Sequence, residues 1–256
     1  PESVDTIVAC TSYPYGEKIS QQVADNLHAN NAQTLDVYKA CSGGSVAIKE
    51  AMKRSAKGSR ILVVGAEHYT ARMAIDSNRA LFSDGAATFA FENGTDFELV
   101  YDKEIYEQNQ AIRMPIDESK IPEGSVFIHV PNETDHFEMN GFDVLKWVVQ
   151  KTPAQETLEA YNQLRFQGSI YLRHHQGSGR ATSDCLREQQ KKGMNANIST
   201  GEVGQIGNLG SVSILAETNA LLSSHTIRKG EIVLLSGFGA GLETSIVGLR
   251  ANRNII

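Results

Sequence analysis

The sequence is poor in several features on which large classes of protein depend. It has three cysteines, at positions 10, 41 and 185 of 256 residues, and this sparse, odd set fits a reducing compartment better than a disulfide framework. No apolar run reaches the roughly 18 residues of a membrane-spanning helix. Lysine and arginine (24) are outnumbered by aspartate and glutamate (30), and the net charge of -6 disfavours nucleic-acid and membrane-surface binding. We therefore expect a cytoplasmic protein with no membrane and no nucleic-acid partner.

The sequence does contain a regular alternation of apolar strand-like runs and amphipathic helical segments. Strands are predicted at 4–10, 34–39, 60–69, 83–94, 169–176, 231–239 and 244–250, and helices at 18–29, from 42 onward, 141–166 with a break near Pro153, 180–192 and 211–223. The alternation predicts an α/β fold, and continuous apolar strands such as 60–69 indicate sheets that are covered on both faces. The segment 98–138 is mixed and gives no clear prediction.

The stretch "YKACSGGSVAIKEAM" (38–52) places Cys41 where a strand-like run stops and an amphipathic helix begins. Backbone N–H groups and the dipole at a helix N-terminus stabilise a thiolate, and Gly43 and Gly44 allow a tight turn with room for a ligand. The alternative is a buried structural cysteine, because cysteine is among the residue types most often buried. The stretch alone leaves a nucleophile and a structural thiol both open.

Three further stretches carry polar or glycine-rich groups at the ends of strands and loops. "HHQGSGR" (174–180) follows a strand, and a histidine there is either a donor or base in a cleft or a solvated capping residue. Asn208, in the loop "GEVGQIGNLG" (201–210), either donates its amide to a substrate carbonyl or accommodates a turn. "SGFGAG" (236–241) either lets backbone N–H groups approach a ligand or forms a simple hairpin turn. Since no Cys/His spacing resembles a zinc site, no metal is expected.

Taken in this order, these stretches resemble the β-ketoacyl-acyl-carrier-protein synthase III family of thiolase-fold condensing enzymes. "ACSGG" is similar to that family's nucleophile turn, "LVVGAE" and "FSDGAATFAF" to the two strands after it, and "MNGFDVLKWVV" to a helix start in its second half. "HHQGSGR" resembles its His-Gln motif, with His175 rather than His174 at the catalytic position. "IGNLGS" resembles its Gly-Asn motif and "SGFGAG" its C-terminal glycine loop, so the resemblance runs from residue 4 to residue 250.

The resemblance implies a thiolase-like fold, in which two pseudo-symmetric βαβαβ halves form five layers in the order αβαβα. The N-terminal half, 1–106, would carry the nucleophile, 107–138 would connect the halves, and the C-terminal half, 139–256, would carry the histidine and the asparagine. Family members have roughly 70 to 80 further residues before the strand "DTIVAC", including the central first strand, and a sheet without its central strand would expose buried backbone. We therefore expect the N-terminal half to be incomplete here and the missing segment to be a separate or cleaved chain or part of a longer polypeptide.

The same resemblance assigns the catalytic groups. Cys41 is the expected nucleophile, and His175 and Asn208 are the expected hydrogen-bond donors to the second substrate. The backbone N–H groups of Cys41 and Ala240 are expected to form an oxyanion hole.

Substrate and partner contacts follow in the same way. Four residues are expected to contact substrate: Phe238, Gly177, Ser178 and Gly239. Gly177 and Ser178 stand where the family usually carries Ala-Asn, and we expect contacts to the pantetheine arm to differ for that reason. Lys146 and Arg180 match basic positions that face an acidic carrier protein, with a plain solvated charge as the alternative for each.

The implied reaction is a decarboxylative Claisen condensation, in which acyl-Cys41 and a malonyl thioester give a β-ketoacyl thioester. The substrates would be coenzyme A or phosphopantetheine thioesters, with no tightly bound cofactor, and the partners an acyl carrier protein and a second copy of the chain in a homodimer. One alternative is a related acyltransferase with an amine or hydroxyl acceptor, and another is a subunit of a condensing heterodimer. Retention of the cysteine, histidine and asparagine argues against a non-catalytic subunit. A biosynthetic thiolase is disfavoured because the loop "SGFGAG" holds no second cysteine.

Overall fold

Two five-stranded sheets organise the protein in the computed structural model, which describes residues 4–12, 18–68, 84–107, 112–113, 121–127, 138–139, 146–148, 152–175, 179–198, 208–239 and 242–256. The strands, which include a separate two-stranded pair, are β1 (Thr6–Cys10), β2 (Gln33–Tyr38), β3 (Arg60–Glu67), β4 (Gly85–Glu92), β5 (Phe97–Tyr106), β6 (Ile112–Arg113), β7 (Val126–Phe127), β8 (Glu138–Met139), β9 (Ile170–His174), β10 (Asn197–Ile198), β11 (Ile232–Gly239) and β12 (Glu243–Ala251). The longer helices of the described residues are α1 (Ile19–Asn26), α2 (Gly43–Arg54), α3 (Thr152–Leu164), α4 (Gly179–Lys191) and α5 (Ser213–Ser224), and short 3-10 turns lie at Ala40–Ser42 and Gly210–Val212. Of the helices in these ranges, none has the length and apolar character needed to cross a bilayer.

The first sheet has the strand order β4–β3–β1–β2–β7, with β1 at its centre. β1 pairs in parallel with both β2 and β3, and β4 runs antiparallel to β3. All of β1, Thr6–Cys10, is buried, as a strand covered on both faces requires. We expected from the sequence that the central strand of this sheet precedes "DTIVAC". That prediction is wrong, because β1 is the central strand itself.

The second sheet has the order β10–β9–β11–β12–β5 and repeats the arrangement of the first. β9 pairs in parallel with β10 and β11, as β1 does with β2 and β3, and β12 is antiparallel to β11, as β4 is to β3. β5 pairs along the other side of β12. The boundary that we expected after residue 106 therefore separates β5 from its partners, since its hydrogen bonds place this strand in the second sheet.

Helices fill the space between the sheets and cover their outer faces. α2 and α5 lie between the sheets, where Val46 and Ile214 belong to one apolar cluster with residues of both sheets. α1 covers the outer face of the first sheet, where Ala24 packs with Ile7. α3 and α4 cover the outer face of the second sheet through a separate cluster that includes Leu164. The described residues thus form the five layers, αβαβα, that the resemblance implied.

The first turns of α2 and α5 approach each other so closely that only glycine fits at two positions. A Cβ atom built on Gly43 would lie 2.8 Å from the Cβ atom of Ser211, and one built on Gly44 would lie 2.5 Å from the backbone oxygen of Ser211. Contacts this short essentially never occur in proteins, so the two backbones would have to separate. The two glycines after Cys41 therefore allow the halves of the molecule to pack.

Replacement of Gly44 by alanine should destabilise the protein by about 1–3 kcal/mol, the usual cost of overpacking a rigid contact. This loss of stability is opposite to the usual effect of a glycine-to-alanine substitution inside a helix, where alanine is favoured by up to about 1 kcal/mol. Urea unfolding followed by far-ultraviolet circular dichroism measures the difference. Lys53→Ala, at an exposed position of the same helix, is the control and should change the unfolding free energy by less than about 0.5 kcal/mol. A Gly44→Ala protein as stable as the parent would contradict the close approach.

Candidate active site

The chain passes from β2 into α2 through a strained turn that carries Cys41. β2 ends at Tyr38, and the 3-10 turn Ala40–Ser42 leads into the helix. Ala40 has a φ of +43°, a left-handed conformation that is costly for a residue with a side chain. The backbone N–H and the hydroxyl of Ser42 donate to the carbonyl oxygen of Lys39 at 3.1 and 2.7 Å and close the turn. Cys41 therefore lies, partly exposed, at the N-terminal end of α2, where the sequence predicted it.

The thiol of Cys41 is a weak acid in this environment. Burial, and after it the carboxylate of Glu67, raise the pKa of Cys41 to about 12, whereas hydrogen bonds with the Asn208 side chain and with its own backbone lower it. We expected from the sequence that the helix N-terminus would stabilise a thiolate. The structure shows instead that desolvation outweighs that effect, so the free thiol is protonated at neutral pH.

The side chain of Asn208 reaches this thiol from the loop before α5. Asn208 is buried, and its Oδ1 atom accepts a hydrogen bond of 2.8 Å from the backbone N–H of Gly210. Because that bond fixes the amide oxygen, the amide N–H₂ group is available as the donor to Cys41. The structure thus brings two of the predicted catalytic side chains into contact and orients one of them.

His175 lies directly after β9 and is held by both its backbone and its ring. Its N–H donates to the carbonyl oxygen of Ser236 at 2.8 Å, and its ring meets that of Phe238 edge-on at a centroid distance of 5.4 Å. Burial, with the help of neighbouring His174, lowers the pKa of His175 to about 3, so the ring is neutral at physiological pH. His174 instead faces α4, where its Nε2 atom lies 3.1 Å from Oε1 of Gln189.

The C-terminal end of β11 connects this histidine with the cysteine turn. Phe238 is buried and lies between the rings of His175 and Trp147, and the centroid distance to the latter is 6.3 Å. The next residue, Gly239, passes so close to Cys41 that an added Cβ atom would lie 2.9 Å from the cysteine backbone nitrogen. Consecutive residues of one strand therefore link the histidine to the nucleophile turn.

A carboxylate that we did not single out from the sequence, that of Glu67, joins the surrounding loops. Its Oε1 atom accepts hydrogen bonds from the backbone N–H and hydroxyl of Ser12, both at 2.7 Å, and from the N–H (3.0 Å) and hydroxyl (2.5 Å) of Ser211. Ser12 follows β1 and Ser211 precedes α5, so one oxygen atom bridges the two halves. Burial raises the pKa of Glu67 to about 7 despite these donors. The available signal was an acidic residue at the end of an apolar strand, a place where a buried role is unusual.

For the other predicted site residues, the described part of the structure shows no contact with Cys41, His175 or Asn208. Outside the described residues lie Ala240, Gly177 and Ser178. Arg180 belongs to the first turn of α4, and its side chain is also outside the described set. Lys146 is exposed, which a carrier-binding residue needs but which a plain surface lysine also shows. The roles of these five residues stay predictions.

Known proteins resemble this chain over nearly its whole length. The family model described as "3-Oxoacyl-[acyl-carrier-protein (ACP)] synthase III C terminal" matches residues 169–251. The β-ketoacyl-[acyl-carrier-protein] synthase III of Microcystis aeruginosa is 29% identical over 257 residues, which cover 94% of this chain and 74% of that protein. The protein of the same name from Oceanobacillus iheyensis is 27% identical over 252 residues, which cover 96% of this chain and 74% of that protein.

Solved structures agree on the fold. The priming β-ketosynthase of the R1128 polyketide biosynthetic pathway matches with a TM-score of 0.77 at 22% identity, covering 100% of this chain and 77% of that chain. The 3-oxoacyl-[acyl-carrier-protein] synthase III of Aquifex aeolicus matches with a TM-score of 0.73 at 20% identity, covering 98% and 78%. The described fold, in which Cys41 and Asn208 meet between the two halves, is the one shared by these solved structures. The family-model match over residues 169–251 and the similarity to the two synthases agree with the resemblance to the β-ketoacyl-acyl-carrier-protein synthase III family seen in the sequence.

The raised pKa of Glu67 predicts a specific dependence of stability on pH. The pKa of Glu67 is about 7 in the folded protein and about 4.5 in the unfolded chain. Between these two pH values, the folded state therefore holds the carboxyl proton more tightly than the unfolded state does. The stabilising contribution of this proton is complete below about pH 4.5 and is lost as the pH rises through about 7. In Glu67→Gln this dependence is absent. The unfolding free energy of the parent relative to the variant should therefore fall by about 3 kcal/mol between pH 4 and 8.

Urea unfolding of both proteins across this pH range measures that change. Glu98→Gln, which replaces an exposed carboxylate on β5, is the matched control and should give a nearly constant difference from the parent. A constant difference for Glu67→Gln as well would mean that the Glu67 carboxyl has an ordinary pKa and is not desolvated.

Proposed function

We propose that this protein is an acyltransferase that joins an acyl group held on Cys41 to a malonyl thioester, with loss of carbon dioxide, and forms a β-ketoacyl thioester. Its curated relatives carry the name of this activity. The observation that carries the proposal is the contact of the Asn208 amide with the thiol of Cys41, with the neutral ring of His175 joined to the same turn through Phe238 and Gly239. Decarboxylation to an enolate needs such donors at the oxygen on which negative charge develops.

In the first half-reaction, the sulfur of Cys41 attacks the carbonyl carbon of an acyl-coenzyme A, and the bond between that carbon and the coenzyme A sulfur breaks. The thiol proton ends on the departing coenzyme A, so that acyl-Cys41 and coenzyme A are the products. Because burial raises the pKa of Cys41 to about 12, thiolate is scarce before substrate binds, and stabilisation of the tetrahedral oxyanion becomes decisive. The backbone N–H groups of Cys41 and Ala240 are the proposed donors to that oxyanion.

In the second half-reaction, the thioester carbonyl of the malonyl group accepts hydrogen bonds from the Asn208 amide and from the neutral ring of His175. Loss of carbon dioxide leaves an enolate, whose oxygen these donors stabilise. Its carbon attacks the carbonyl of acyl-Cys41, and the cysteine leaves as a thiolate that takes up a proton. Because the pKa of His175 is lowered to about 3, the ring can donate without a change of charge across physiological pH.

The partners follow from the same reaction. We propose that coenzyme A or phosphopantetheine carries the substrates, that an acyl carrier protein delivers the malonyl group, and that the active form is a homodimer. The exposed side chain of Lys146 supports a contact with an acidic carrier, and Arg180 is proposed as the second basic contact. Phe238 and Gly239 are proposed to line the substrate channel, because both adjoin the residues that would react. The proposed steps need no tightly bound cofactor, because the thioester itself supplies the activated carbon.

Acylation of Cys41 is the first test of this function. Intact mass spectrometry after exposure to a panel of acyl-coenzyme A thioesters should show one acyl adduct on the parent protein and none on Cys41→Ala. Cys185→Ala removes a buried cysteine of α4 instead and should keep the adduct. Release of carbon dioxide from a malonyl thioester then separates condensation from transfer to an amine or hydroxyl acceptor. If the protein is acylated but releases no carbon dioxide from the malonyl thioester, condensation is refuted and transfer to an amine or hydroxyl acceptor takes its place.

Asn208→Ala should slow condensation far more than acylation. Loss of one donor to a developing oxyanion costs about 3–4 kcal/mol, or roughly 10²- to 10³-fold in rate. Acylation should fall only slightly, because the variant loses the hydrogen bond that lowers the pKa of Cys41. The two rates are measured as the appearance of the acyl adduct and of the β-ketoacyl product. Asn219→Ala, an asparagine of α5 that is hydrogen-bonded to the backbone of Thr88, is the control. Equal losses in both half-reactions would refute the assignment.

A further inference from the structure

An ion pair joins the two backbone segments that meet at Cys41. The Nζ atom of Lys39, two residues before the cysteine, donates to Oε2 of Glu243 at 3.2 Å and lies 3.2 Å from Oε1. Glu243 is the first residue of β12 and stands opposite Gly239 in the ladder between β11 and β12. Gly239 is the residue whose backbone touches Cys41. The ion pair between Lys39 and Glu243 therefore joins the same two segments, the Cys41 turn and the strand pair β11–β12, that also meet where Gly239 touches Cys41.

Both segments are strained where the ion pair holds them. Among described residues other than glycine, only three have a positive φ, and two of these are Ala40 at +43° and Leu242 at +54°. Ala40 directly follows Lys39, and Leu242 directly precedes Glu243. Left-handed conformations of this kind persist only where surrounding contacts enforce them. An ion pair adjacent to each strained residue supplies such a contact.

The burial of the pair makes it costly to break. The side chain of Glu243 is 2% exposed and that of Lys39 is 14% exposed. Burial is the main cause that raises the pKa of Glu243 to about 7, the Lys39 and Lys49 charges lower it, and the Glu104 charge raises it. Tyr106, opposite Glu243 on β5, completes the titratable groups around this carboxyl. The pair therefore forms as the pH rises through about 7, and loss of Lys39 leaves the buried carboxylate of Glu243 without its ion-pair partner.

Further charges of alternating sign support Lys39 from the side of α2. Glu104 of β5 lies 4.0 Å from Lys39 through one oxygen and contacts Lys49 of α2 through the other. Lys49 lies 3.1 Å from Glu50, which in turn pairs with Arg54 at 3.0 Å. This chain of charges leads from the cysteine turn along the helix that follows it, so Lys39 is anchored to β5 and α2 as well as to Glu243.

We propose that the Lys39–Glu243 ion pair is a positioning device for acyl transfer, which holds the Cys41 turn at a fixed distance from Gly239 at the end of β11 and thereby positions the backbone N–H of Cys41 for the oxyanion. This inference rests on the proposed function, because it concerns the oxyanion formed when Cys41 attacks a thioester. Neither residue touches the reacting atoms in this arrangement. Lys39 acts through the turn that carries the Cys41 N–H group, and Glu243 acts through Gly239, its partner in the ladder.

Two reactions of the same thiol separate positioning from a merely structural role. Acylation by acyl-coenzyme A passes through a tetrahedral oxyanion, whereas alkylation by iodoacetamide is a direct displacement at carbon that forms no such oxyanion. Lys39→Met and Glu243→Gln should each slow acylation by about tenfold or more, because small displacements of reacting groups have effects of this size. Alkylation at the same pH should change by less than about twofold. Lys53→Met, which removes an exposed lysine paired with Asp102, is the control and should change neither rate.

The double variant and the pH profile complete the test. Lys39→Met/Glu243→Gln should be no slower in acylation than the slower single variant, because both changes remove one interaction. The ratio of acylation to alkylation rates should rise through about pH 7 in the parent and lose that rise in Glu243→Gln. Equal losses of acylation and alkylation, or additive losses in the double variant, would overturn the inference. A parent protein that is alkylated but accepts no acyl group would overturn the proposed function, and the inference with it.

Discussion

One oxygen atom of Glu67 accepts four hydrogen bonds from two loops, and the geometry of the site depends on that convergence. β1 and β3 are parallel neighbours, so Ser12, two residues after β1, and Glu67, the last residue of β3, meet at the same edge of the sheet. Ser211 arrives there from the second half of the molecule. Asn208 lies three residues before Ser211, and its amide contacts Cys41. The carboxyl group of Glu67 thus helps to fix where the second half places the Asn208 amide relative to Cys41 of the first half.

Burial gives this site its chemical character. It raises the pKa of Cys41, lowers that of His175 and brings that of Glu67 close to neutrality. The groups around the substrate are therefore mostly neutral dipoles. In a desolvated site such dipoles stabilise a developing negative charge more strongly than they would in water. A site of this kind favours reactions that pass through oxyanions and enolates, and it makes little use of proton transfer by charged side chains.

The sequence predicted local structure, such as the strands and the turn at Cys41, better than it predicted which distant segments pair and pack together. The apolar runs gave the strands, and Cys41 lies between a strand and a helix, as expected. Sequence periodicity does not say which strands pair, because pairing is decided by packing between distant segments. For that reason β1 was not expected at the centre of its sheet, and β5 was not expected in the second sheet. Gly44 was expected to serve a turn, whereas its contact with Ser211 could be seen only once both halves were in place.

Charged residues were the hardest part to anticipate. Glu67, Lys39 and Glu243 are ordinary surface residue types, and apart from the position of Glu67 at the end of an apolar strand, no pattern in the chain indicates their burial. The expected thiolate at Cys41 failed for a related reason. A helix N-terminus can be predicted from sequence, but the burial that opposes it comes from packing between distant segments, such as the approach of Gly239 to the cysteine.

The two halves meet in a way that concentrates positive potential at this junction. α2 and α5 each begin with a 3-10 turn, and their first turns are in contact. Both helix N-termini carry partial positive charge, so their approach is unfavourable unless negative charge lies between them. Glu67 supplies part of that charge through its hydrogen bonds to Ser211, yet burial holds its pKa near 7, so at neutral pH the carboxyl is only partly ionised. An oxyanion formed at Cys41 would supply the remainder. In the proposed reaction, the approach of the two helix N-termini thereby becomes more favourable as the transition state of acyl transfer forms.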